Sequence, residues 1–118
     1  MEKLIALLFL SRDQMHKFHL GSKSYAEHMI LDEYYEDIIE LVDNIAETWQ
    51  GKMGKLLVVP KMNSEAKGTA LETLKMHAKW IEDNRYKECD EKDAVMQSMV
   101  DPILALMYKT IYKLENLK

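Results

Sequence analysis

An all-α bundle of four helices is the fold this sequence predicts, on three observations. Apolar residues recur at three-and-four spacing along four separate stretches, glycine and proline are scarce, and 47% of the side chains are hydrophobic. In a chain of 118 residues that content makes one apolar core, and hence a single domain over residues 1–118.

The first helix has Leu4, Leu8, Met15 and Phe18 on one face, with an interruption at Ser11, and ends near Leu20 with Gly21 as its C-cap. The second opens on a capping box of Ser24 and Glu27, buries Leu31, Tyr35, Ile38, Val42, Ile45 and Trp49, and stops at Gly51. Only a few residues join these two helices, so they are antiparallel neighbours. From Gly51 to about Ser64 the periodicity vanishes, leaving the short apolar run Leu56-Leu57-Val58-Val59-Pro60. About 25 helical residues span about 37 Å, and about 14 extended residues reach roughly 46 Å. The segment can therefore cross the full length of the bundle, the connection found in ferritin-like folds, with its apolar centre buried against the helices. A third helix takes Ala70, Leu74, His77 and Ile81, with Thr69 and Glu72 as a second capping box. The fourth takes Met96, Met99, Ile103, Leu106, Thr110, Leu114 and Leu117. Pro102 inside it predicts a kink, or a fresh start with Asp101 as N-cap and Pro102 at the first helical position.

Several function classes are excluded at this level. The run Leu4 to Leu10 is too short to cross a bilayer and lacks the cationic start of a leader. A net charge of −4 without any basic run argues against binding nucleic acid or an anionic membrane. Cys89 is alone, so no disulfide and no paired-cysteine zinc site forms, and the thiol fits a reducing, cytoplasmic setting.

The second helix carries the chemistry. Glu27, Asp32, Glu33, Glu36, Asp37, Glu40, Asp43 and Glu47 lie on it without one Lys or Arg between Ser24 and Gln50. Like charges four apart each cost a helix about 0.2–0.5 kcal/mol, so compensation must come from outside it. For Glu33, Glu36, Asp37 and Glu40 solvent and lysines of other helices suffice. Asp32, Asp43 and Glu47 flank the apolar face, where a carboxylate needs a partner or a metal. His16, His19 and His28 lie within one short stretch, and imidazole with carboxylate suits a first-row transition metal. His28 and Asp43 are separated by about 22 Å of helical rise, so they cannot share an ion within one subunit. Two copies of this helix packed antiparallel across a two-fold axis would bring His28 of one beside Asp43 and Glu47 of the other, twice.

The spacing of His16, His28, Asp32, Asp43 and Glu47 resembles the ferroxidase pattern of the Dps miniferritins. There two His and an acid from one subunit meet an Asp-x-x-x-Glu pair from its two-fold mate. The segment from His16-Lys17-Phe18-His19-Leu20-Gly21 through Asp43-Asn44-Ile45-Ala46-Glu47 carries the likeness, about a third of the chain. Residues His16 to Gly51 are also similar to small phage-encoded proteins with a His-x-x-His-Leu and Ser-Tyr-Ala-Glu-His signature. Ungapped spacing selects His16 as first ligand, and a turn shortened by three residues selects His19. The resemblance implies iron as Fe(II) or Fe(III), in a one-ion or di-iron site with zinc as a substitute, held by His16 or His19, His28, Asp32, Asp43 and Glu47. His28, Asp43 and Glu47 would then carry the oxidation. Three features depart from the pattern: Leu20 where the family has tryptophan if His19 is the ligand, a crossover too short for the usual extra helix, and no lysine-rich tail. Cage assembly and DNA protection are therefore not carried over. The second half also lacks a Glu-x-x-His motif, so a centre drawing on all four helices is not implied.

Two readings follow. The first is a Dps-like homo-oligomer that binds iron between antiparallel second helices and oxidises Fe(II) with dioxygen or peroxide. The second is a non-enzymatic helical oligomer, viral in the phage-like case, that binds a partner protein or sequesters a small molecule; its histidines are hydrogen-bonded interface residues.

Overall fold

The computed structural model describes residues 1–118, and all of its regular structure is helical. The elements are α1 (Glu2–Gly21), α2 (Tyr25–Met53), α3 (Ala70–Glu88) and α4 (Ala94–Asn116). Side-chain oxygens set three of the four starts: Ser24 accepts from the Glu27 N–H, Thr69 from the Glu72 N–H and Asp93 from the Met96 N–H. At the start of α1 the task falls to another helix, since the Glu88 carboxylate accepts the Leu4 N–H at 2.9 Å.

The body measures 45 × 25 × 22 Å, and α2, with 29 residues, runs nearly its whole length. Helix α1 packs on α2 and α3, and α4 packs on the same two from the opposite corner. Polar contacts fix the directions. Lys52, late in α2, pairs with Asp93 at the start of α4, while Glu33 early in α2 meets Lys113 late in α4. The segment between α2 and α3 lies along α1: Gln50 Oε1 accepts the Leu57 N–H at one end, and Lys17 and Gln14 donate to the carbonyls of Ser64 and Glu65 at the other. It thus crosses the bundle, and α2 and α3 run parallel on a diagonal, as the length argument allows. The crossover is not buried through its centre. Only Leu57 and Val59 turn inward, while Leu56 and Val58 face solvent, because an extended chain alternates its side chains.

The core joins Leu4, Leu8 and Met15 to Leu31, Ile38, Val42 and Ile45, and then to Leu74, Ile81, Met96, Val100, Ile103 and Met107, all buried. Three expectations change. Helix α2 passes through Gly51 and ends at Gly54, which takes the left-handed conformation (φ 68°) that the C-cap needs. Tyr34, not Tyr35, fills the α2 face, because Ser11 is buried opposite it and the two hydroxyls bond at 2.7 Å. Of the two outcomes expected at Pro102, the fresh start with Asp101 as N-cap does not occur. Helix α4 is continuous through it, with Pro102 and Asp101 exposed, so the Ser98 carbonyl that loses its donor lies near solvent.

Candidate functional site

Near the α1–α2 turn the structure gathers His16, His19, His28, Asp32 and Tyr35. The His19 and His28 rings stack at 3.7 Å between centroids, and each Nδ1 reaches the other residue's carbonyl oxygen, at 2.7 Å from His19 and 2.9 Å from His28. A carbonyl oxygen only accepts, so both Nδ1 atoms carry the proton. This leaves Nε2 of each ring as the nitrogen that can offer a lone pair, the arrangement in which a backbone carbonyl orients a metal-ligating histidine. Neither Nε2 is sealed or bonded, and both ring nitrogens of His16 are likewise free.

His16 lies flat on the Tyr35 ring, with centroids 4.0 Å apart and planes at 11°. One turn away, the Tyr35 hydroxyl donates to Asp32 Oδ1 at 2.8 Å. That bond first, then desolvation and the negative fields of Asp32 and Glu36, pushes the Tyr35 hydroxyl above its usual range, with Arg12 opposing. Tyr35 therefore belongs to this corner and only borders the core. Its place was open to inference from the i, i+3 spacing to Asp32, but the apolar periodicity absorbed it.

Asp43 and Glu47 lie elsewhere. Both are exposed farther along α2, about 16 and 22 Å of rise beyond Asp32, and neither has an ion-pair partner. Of the α2 carboxylates only Glu33 is paired, to Lys113 at 3.3 Å. No three His, Cys, Asp or Glu side chains converge as a metal-holding group within the chain. One protomer thus supplies an imidazole-rich half at one end of α2 and a carboxylate half at the other.

The remaining candidates are inert. Cys89 is buried, accepts from Gln97 Nε2 at 3.2 Å, and has its thiol pKa raised by desolvation, which disfavours the thiolate. No helix is long and apolar enough to cross a membrane.

No solved structure matches this chain. It is 26% identical over 115 residues, 96% of its own length and 86% of the relative's, to an uncharacterized 14.6 kDa protein in the mobD-ri intergenic region of Enterobacteria phage T4. A family model described as a family of unknown function, DUF5856, matches residues 19–114, a stretch that contains His19, His28, Asp32, Asp43 and Glu47. Since that match takes in most of the chain, from the end of α1 into the last turn of α4, the chain belongs to the DUF5856 family.

Proposed function

We propose that this protein is a Dps-like homo-oligomer that binds iron between subunits, the imidazole end of one α2 meeting the carboxylate end of another. The observation that supports this most is the pair of Nδ1–H bonds to carbonyls, which leaves the Nε2 lone pairs of His19 and His28 without a partner in the protomer. Imidazole nitrogen and carboxylate oxygen suit Fe(II), and zinc would fit the same donors. His28 and Asp32 would bind from one subunit, with His16 or His19, and Asp43 and Glu47 from its mate. Fe(II) held there is the substrate, giving up electrons to dioxygen or peroxide as it becomes Fe(III). Asp43 and Glu47 are exposed and make no ion pair within the protomer, so both carboxylates are free to bind an ion.

The same two bonds favour a second reading. They tie the end of α1 to the start of α2, and a purely structural role in a non-enzymatic oligomer would use them unchanged. Titration of metal-free protein with Fe(II), and with Zn(II) as a redox-inert probe, separates the two. On the iron reading His28→Ala and Glu47→Ala each abolish binding while helicity survives. Wild-type protein that takes up neither metal at micromolar concentration establishes the second reading instead.

A further inference from the structure

Beside the candidate site, α1, α2 and the crossover enclose an open groove of about 330 Å³. Its walls are mostly apolar and partly bare: Phe9 is 42% and Met62 44% exposed, with Ile39 and Val59 between them. Arg12 lines the same groove. It makes no ion pair and no hydrogen bond, and its Nε is sealed from solvent without a partner. The neighbouring carboxylate meets this need only in part: Asp13 has its pKa held low by Ser64 first, then by Lys17 at 3.3 Å and by the field of Arg12, but it makes no hydrogen bond or ion pair with Arg12. A guanidinium with a buried, unpartnered N–H beside bare apolar side chains lacks a hydrogen-bonded anion. Across the molecule the surplus is the reverse: Glu36 and Glu40 on α2 are exposed and have no cation.

We infer that this groove is the contact surface for a second copy of the chain, in which Arg12 receives the partner's Glu36 or Glu40 carboxylate while Phe9, Ile39 and Met62 are covered. The inference rests on the proposed antiparallel pairing of α2, which fixes a register. Placing His28 opposite the partner's Glu47 also places Asp32 opposite its Asp43, and both pairs are symmetric about residues 37 and 38. In that register Glu40 lies opposite the partner's Tyr35, and Glu36 opposite its Ile39. Arg12 occupies the same level, because it shares the groove with Ile39 and its charge acts on Tyr35. An open groove with half-bare walls also suits a helix face better than a small ligand, which would leave much of its surface in water.

The test is the dissociation constant of the oligomer, measured by analytical ultracentrifugation of full-length protein in chelator, so that no metal contributes. Arg12→Glu should weaken self-association about tenfold or more, as should the double variant Glu36→Lys with Glu40→Lys, since each sets like charges against each other. The second variant changes only exposed positions and guards against misfolding in the first. Combining all three substitutions reverses every pairing and should restore association to near the wild-type value. A monomeric wild type, or a Glu36→Lys/Glu40→Lys variant that associates as wild type does, overturns the inference. Association through Arg12 without metal uptake would leave this surface standing while the iron reading falls; metal uptake with an inert Arg12 would do the opposite.

Discussion

His77 gives this fold an acid sensitivity whose size follows from its surroundings. It lies on the buried face of α3, 5% exposed, and its Nδ1 is sealed without a partner. Desolvation lowers its pKa from 6.5 to about 4, because a charged imidazolium there would lose its hydration. Above pH 6.5 both folded and unfolded chains hold it neutral, and its contribution is fully present. As the pH falls toward 4 the unfolded chain takes up a proton that the folded chain refuses, so stability is lost at up to about 1.4 kcal/mol per pH unit. Over the whole window the loss is on the order of 3 kcal/mol, and below pH 4 it levels off because both states are protonated. Urea unfolding followed by far-UV circular dichroism at fixed protein concentration, from pH 7 to pH 4, measures this for wild type and His77→Leu. Taking the difference cancels the carboxylates common to both chains. At pH 7 the two should agree within about 1.5 kcal/mol, since lost shape complementarity is offset by removing an orphaned nitrogen. The variant should then hold its stability better as the pH falls. Parallel pH profiles would refute the reasoning.

Other consequences are local. Tyr34→Phe strands the buried Ser11 hydroxyl and should cost roughly 1–3 kcal/mol, most of it recovered when Ser11→Ala is added; additive losses in a double-mutant cycle would contradict this. Gly51→Ala should raise the thermal midpoint, by up to about 0.8 kcal/mol of stability, because Gly51 is helical and a Cβ there meets nothing within 4 Å. Gly54→Ala should lower it by about 1 kcal/mol because φ is 68°. Equal signs for the two would show that the C-cap is misplaced.

The contrast between Gly51 and Gly54 marks where sequence reading ends. Periodicity located all four helices and two of the side-chain caps, because burial and capping act over a few neighbouring residues. Which of two nearby glycines takes the left-handed turn depends on tertiary packing, here the return of the crossover to Gln50. Tyr34 and Tyr35 are adjacent and equally apolar, and only Ser11 on the facing helix decides which is buried. A fresh helix start at Pro102 is suggested by its missing N–H, a local fact, whereas its exposed position, which lets the helix continue, is not local. In the candidate site, the spacing of His16, His28 and Asp32 placed them in one corner. The Nδ1–H bonds of His19 and His28, the Tyr35 bond to Asp32 and the unpaired Arg12 required knowing how α1 lies on α2.

The claim that the metal site is shared between subunits is tested most directly by metal stoichiometry in mixed oligomers. Subunits carrying His28→Ala and subunits carrying Asp43→Ala are purified separately, shown to bind no metal, and then co-assembled as tagged heterodimers. If each site draws His28 from one chain and Asp43 from the other, both lesions fall together in one site and the second is intact. Zn(II) titration should then find about half the wild-type stoichiometry, at wild-type affinity. Heterodimers as empty of metal as their parents would contradict the account.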